Sequence, residues 1–226
     1  MHPPVITNLM AQALENPDLL SLAAGFTDNA MLPRDLVQEA VTTFTVEDPE
    51  YLQYGTNQGR IGLREETVRW VQSYPGEEAF PASPSDVLVT NGSQQCLYLA
   101  MQVLCDPGDL VLVERPSYFV FLEMLRGLGI EAVGIPETPE GNMDIAGLSD
   151  LLGRLKQSGD AQRLKAVYLV SYFSNPGAKC LSEAEKIQLA ELLKGESLVL
   201  PILEDGAYRE LYFETPFPAR TIYNLE

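Results

Sequence analysis

Ala166-Val167-Tyr168-Leu169-Val170 is followed by Ser174-Asn175-Pro176-Gly177 and then by Ser182-Glu183-Ala184-Glu185. A short apolar run bounded by a turn signal reads as a buried strand. Ser182 with Glu185 three positions later is a capping box, and it opens a helix reaching Lys194. The stretch is therefore one strand–turn–helix unit. The same texture recurs on both sides of it. Upstream, Val87-Leu88-Val89-Thr90 reads as a strand, and Gly92-Ser93-Gln94-Gln95 opens a helix through Leu97, Ala100, Met101 and Leu104. The turn Asp106-Pro107-Gly108-Asp109 precedes the strand Leu110-Val111-Leu112-Val113. A helix around Tyr118 to Leu128 leads to the strand Ile130-Glu131-Ala132-Val133, and another helix spans Ile145 to Gln157. Downstream, Leu198-Val199-Leu200-Pro201-Ile202-Leu203 is the last strand. Strands separated mainly by helices predict an α/β fold with a mostly parallel sheet and flanking helices. The first third is helical in pattern. Apolar residues fall on one face at Ile6, Leu9, Met10, Ala13 and Leu14, a second pattern starts at Pro33, and a third runs from Ile61 to Tyr74.

The chain has 226 residues, 46% of them hydrophobic, enough for one sizeable core or one and a part. No apolar run reaches the length of a membrane span, so no membrane partner is expected. With 32 acidic and 15 basic residues the formal charge is −17, a field that repels nucleic acid. The acidity is spread along the chain, which points to solubility more than to a substrate. Three cysteines, Cys96, Cys105 and Cys180, lack metal-ligand spacing, and no metal site is expected; a reducing, cytoplasmic setting is the natural reading.

In open parallel sheets, ligands gather where strand C-termini meet helix N-termini. Four segments place polar groups there. Thr90-Asn91-Gly92-Ser93-Gln94 can cradle a phosphate on helix N-terminal amides, although Gly and Ser also serve ordinary strand-to-helix turns. Tyr118, in Arg115-Pro116-Ser117-Tyr118, can stack on a flat heterocycle or simply pack in its helix. Asn175 can donate to a phenolate-like oxygen, while Asn-Pro-Gly is also a common turn. In Glu204-Asp205-Gly206-Ala207-Tyr208, Asp205 can hold a pyridinium proton, bind a metal or cap a helix, and Tyr208 can reach the same ligand.

The order and spacing of these segments resemble the pyridoxal phosphate (PLP) site of the class I/II, fold type I aminotransferases, closest to the aminoadipate/kynurenine aminotransferase branch. Leu52-Gln53-Tyr54-Gly55 with Gly59 and Leu63-Arg64 extends the resemblance, which covers nearly the whole chain. It implies that Ser93 and Gln94 bind the cofactor phosphate, that Tyr118 lies over the ring, and that Asn175 and Tyr208 bond the phenolic oxygen. Asp205 would keep the ring nitrogen protonated. Tyr54 would reach the phosphate in the neighbouring subunit, which implies a homodimer. Gly25 and Asn175 would lie near the substrate. An amino acid and a 2-oxo acid are the implied substrates. Residues 1–45 would belong to the small domain or substrate-side arm, and 46–226 to a partial PLP-binding large domain.

The match has gaps. The family's Schiff-base lysine lies on a later strand, at a position expected beyond Glu226, so no catalytic residue is assigned within the chain. A large domain incomplete at its C-terminus is therefore expected, a fragment with exposed apolar faces and poor solubility. Gly177 and Ala178 stand where the family usually has Ser or Thr and then Gly, which leaves the aim of Asn175 open. Two other functions fit part of the pattern. One is a PLP-binding effector domain of a MocR-type transcription regulator. The other is an unrelated α/β phosphate-binding hydrolase using Asp205 as nucleophile or ligand.

Overall fold

The computed structural model describes residues 5–16, 18–20, 27–47 and 49–225. They divide into two compact units, Met1–Thr56 and Asn57–Glu226. In the first unit α1 spans Val5–Glu15 and α2 spans Arg34–Glu47. Between them a 3-10 turn, Asn29–Met31, is capped by Asp28, whose carboxylate accepts from the Ala30 amide at 2.9 Å.

The second unit opens with α3 (Ile61–Gln72) and α4 (Gly92–Leu104). There follow β1 (Leu110–Val113), α5 (Phe119–Leu128), β2 (Glu131–Gly134) and α6 (Ile145–Ser158). Then come β3 (Leu164–Val170), α7 (Glu183–Gly195) and β4 (Ile202–Asp205). The four strands form one sheet in the order β2-β1-β3-β4, and every pairing is parallel. Because side chains alternate along a strand, each one feeds both faces. Leu110, Leu112, Val167 and Leu169 pack with Leu148 and Leu152 of α6 and Leu189 and Leu193 of α7. Val111, Val113, Ala166, Tyr168 and Val170 pack with Leu97 and Met101 of α4 and Phe121 and Leu125 of α5. Helices thus cover both faces, and β3 is buried along almost its whole length.

Two expectations about strands need correction. Val87–Thr90 is extended at Val87 but joins no sheet among the described residues; the Val89 amide donates to Gln58 O at 2.9 Å. The apolar run satisfies the pattern of a strand, yet a strand exists only where a neighbour supplies the ladder. Gly59 makes the Gln58–Val89 approach possible, since its φ is +95° and a Cβ there would lie 2.6 Å from Val89 Cγ2. The last strand also starts later than the run beginning at Leu198. The Leu198 amide still donates to Leu193 O at the end of α7, and Pro201 has no amide to give, although its carbonyl accepts from Val167 N at 3.0 Å. The ladder proper begins at Ile202.

Candidate functional site

Parallel strands aligned in register end together, and the segments after β1, β3 and β4 leave the sheet at one edge. At that edge Tyr168, near the end of β3, donates to Asp205 Oδ2 at 2.9 Å. The Ala207 amide donates to Asp205 Oδ1 at 3.0 Å. After β3, Asn175 Nδ2 donates to the Tyr208 hydroxyl at 3.1 Å. After β1, the hydroxyl of Tyr118, the residue that precedes α5, accepts from Gln94 Nε2 at 3.2 Å, and Gln94 lies in the first turn of α4.

Local sequence explains each placement. Gly92 adopts φ +74° at the start of α4, a left-handed conformation that favours glycine, and nothing lies within 4 Å of where its Cβ would be. Asn91 N donates to Gln95 Oε1 at 2.6 Å and Thr90 Oγ1 to Gly92 O at 2.9 Å, which close the turn. The first amides of α4 have no carbonyl partner within the helix, and Ser93 and Gln94 are exposed there. The loop carrying Asn175 closes on itself through Ala178 N to Ser174 O at 2.5 Å and Ser174 N to Lys179 O at 2.8 Å. Gly177 and Ala178 therefore still form a tight turn, with Ala178 at φ +50°.

Tyr168 escaped the reading of the sequence, where it was one residue of an apolar strand. Its ring stacks on Phe121 with centroids 3.9 Å apart. Burial and then the Asp205 charge push its phenol well above the usual range, so it stays a neutral donor to the carboxylate. The available signal was the lone hydroxyl in an otherwise aliphatic run, since a buried tyrosine must find a partner. Glu114, after β1, is a second such group. Its carboxyl accepts from Val170 N at 3.1 Å, and burial raises its pKa to about 7, with Asp205 and Glu137 adding to the shift against that hydrogen bond.

Tyr54 lies in the first unit and is exposed, its amide donating to Gln53 Oε1 at 3.0 Å. Gly25 lies outside the described residues. The lysines are engaged elsewhere or face solvent. Lys156 meets Glu196 at 2.6 Å, Lys179 meets Glu137 at 2.6 Å, and Lys186 meets Glu204 at 2.7 Å. Lys165 donates to Gln162 O at 3.1 Å, and Lys194 is exposed on α7.

The donor set suits a phosphorylated pyridine. A helix N-terminus with a left-handed glycine and open space beside it suits a phosphate. A carboxylate fixed by two donors retains lone pairs for a ring N–H, and the Asn175 amide and Tyr208 hydroxyl have hydrogens to offer an anionic oxygen. An α/β sheet with this edge places the chain in the class of PLP-fold proteins. The model for the aminotransferase class I and II family matches residues 17–226, and the chain belongs to that family. It is 32% identical over 207 residues to aromatic-amino-acid aminotransferase 1 of Thermococcus litoralis, covering 90% of this chain and 47% of that protein. With 2-aminoadipate transaminase of Thermus thermophilus it shares 32% over 200 residues, covering 88% and 46%. The crystal structure of an archaeal alanine:glyoxylate aminotransferase superposes with a TM-score of 0.86 at 28% identity, over 100% of this chain and 54% of that one. Other relatives are described as HTH-type transcriptional regulators. The chain spans about half the length of the curated relatives it matches.

Proposed function

We propose that this chain forms the cofactor-binding part of a PLP-dependent aminotransferase, which moves an amino group from an α-amino acid to a 2-oxo acid. The observation that carries the proposal is the meeting of the Tyr168–Asp205 and Asn175–Tyr208 pairs at one sheet edge with Gln94 and Tyr118. Asp205, held on both oxygens, keeps a proton on the ring nitrogen. Tyr208 and Asn175 donate to the phenolic oxygen, and Asn175 also borders the substrate. Ser93, Gln94 and the first amides of α4 hold the phosphate, while Tyr118 covers a ring face. Bound there, the cofactor supplies an electron sink for the pair left at the amino acid's α-carbon.

The wider assignments rest on the family resemblance. Residues 1–45 act as a substrate-side arm containing Gly25, and 46–226 as large domain. Tyr54 serves the phosphate site of a second subunit in a homodimer. A cytoplasmic home is supported by three free cysteines.

Equilibrium dialysis of the 226-residue chain against PLP tests the site, followed by borohydride and mass spectrometry. Saturable binding is expected, weakened at least about tenfold by Asp205→Ala, with no adduct confined to a single lysine. Binding that ignores both Asp205→Ala and Tyr208→Phe would refute the assignment. The regulator relatives favour a second function, cofactor sensing without turnover. Amino transfer to a 2-oxo acid by the protein that carries this sequence would exclude it.

A further inference from the structure

Behind the site, on the α7 face of the sheet, lies a second polar cluster with no part in the roles above. Lys186 of α7 is fully buried, and its Nζ stands 2.7 Å from Glu204 Oε1, an ion pair off the hydrogen-bonding angle. The same Nζ donates to Tyr172 Oη at 3.1 Å and to Arg220 O at 2.7 Å. Arg209 forms a 3.0 Å ion pair with Glu77, both nearly inaccessible, and its guanidinium lies 4.4 Å and 4.5 Å from the ring centroids of Tyr74 and Tyr172. Two cations and two carboxylates thus neutralise one another out of water.

The cluster is connected to the site through the chain itself. Glu204 immediately precedes Asp205, and Arg209 immediately follows Tyr208. Strand alternation places Glu204 with Ile202 on the α7 face and Asp205 with Leu203 on the face of Tyr168. Glu204 Oε2 also accepts from Ile222 N at 2.7 Å, so the strand end is fixed from the rear by a side chain and by a second segment. A buried charge pair holds geometry well because neither partner can leave without stranding the other.

We propose that the Lys186–Glu204 and Arg209–Glu77 pairs are positioning residues that set the angles of Asp205 and Tyr208 from the opposite face of the sheet. The proposal rests on the cofactor role given to those two groups. Lys186 has no direct bond to Asp205 or Tyr208 and acts on Asp205 through Glu204, the residue before it.

The experiment compares Lys186→Met and Lys186→Arg with the parent 226-residue chain. Amide exchange at Ala207, whose N–H is held by Asp205, reports the carboxylate without any cofactor. Lys186→Met is expected to speed it at least about tenfold while Leu112 in β1 is unchanged, and Lys186→Arg to restore most of the protection. In parallel, the PLP dissociation constant is expected to rise at least about tenfold, while inorganic phosphate, which needs only the α4 N-terminus, binds as before. Unchanged Ala207 exchange in a folded variant overturns the proposal. Equal acceleration at Ala207 and Leu112 also overturns it, because that is general loosening. If Lys186→Met does not fold, Lys186→Met/Glu204→Gln removes both charges and is read the same way. A parent chain that binds no PLP but shows the Ala207 response would sink the cofactor role alone and leave the mechanical coupling standing.

Discussion

At the scale of single residues, two environments set measurable behaviour. Glu114 has its folded pKa raised to about 7 from an ordinary 4.5, chiefly by burial. Below the lower value both folded and unfolded chains carry the proton, and the fold has its full stability. As pH climbs through the folded value, the unfolded chain has already released its proton and stability is lost. Glu114→Gln keeps an acceptor for Val170 N and removes the charge. It should therefore match the parent near pH 4 and exceed it at pH 8 by on the order of 2 kcal/mol, read as the difference between urea midpoints. Ala178 holds φ +50° in the loop that aims Asn175, a region unfavourable to any Cβ. Ala178→Gly should raise stability by about 0.5 kcal/mol, the relief of strain exceeding glycine's entropy cost. A lower denaturation midpoint would show that the turn is relaxed with alanine. The sequence flagged Ala178 only as a departure from the family's usual glycine, and Glu114 not at all, because burial and a backbone angle exist only once the chain around them folds.

At the scale of elements, α7 was legible in full from its first turn. Ser182 Oγ and the Glu185 carboxylate satisfy each other's backbone amides, with Ser182 N to Glu185 Oε2 at 2.9 Å. Ser182→Ala should cost about 1 kcal/mol, and Glu185→Ala somewhat more because Glu185 Oε1 also accepts from Met143 N at 3.2 Å. Thermal melts of the two variants check the order. The strand at Leu110–Val113 and the helix beginning at Gly92 were equally clear, since strong periodicity coincided with turn residues on each side. Val87–Thr90 misled for a physical reason. Its apolar run and β-branching are local properties, whereas membership of a sheet depends on a neighbouring strand.

For the whole molecule, the sheet's outer strands are β2 and β4 among the described residues, and β4 has an apolar groove alongside. Val199 before it is 98% exposed, and Phe213 beyond it is fully exposed, as Leu211 is in large part. Apolar side chains and an open strand edge of this kind promote association. The 226-residue chain should self-associate at micromolar concentration, and Val199→Lys with Phe213→Lys should reduce that association in sedimentation velocity runs. A parent chain that stays monomeric up to about 100 μM would contradict the expectation.

Local sequence by itself determined the succession from Leu110 to the end of the last strand, its caps and turns, and the chemical types waiting at the sheet edge, but not whether Val87–Thr90 finds a partner. Family resemblance added the proposal of which of these face a cofactor. Tertiary structure alone decided that Tyr168 fixes Asp205, that Asn175 meets Tyr208, and that Lys186 and Glu204 neutralise each other behind the strand. The partners in those contacts lie from 18 to 37 positions apart. Short-range pattern specifies which face a side chain takes, but only packing selects the distant group it meets and the cost of leaving it unpaired.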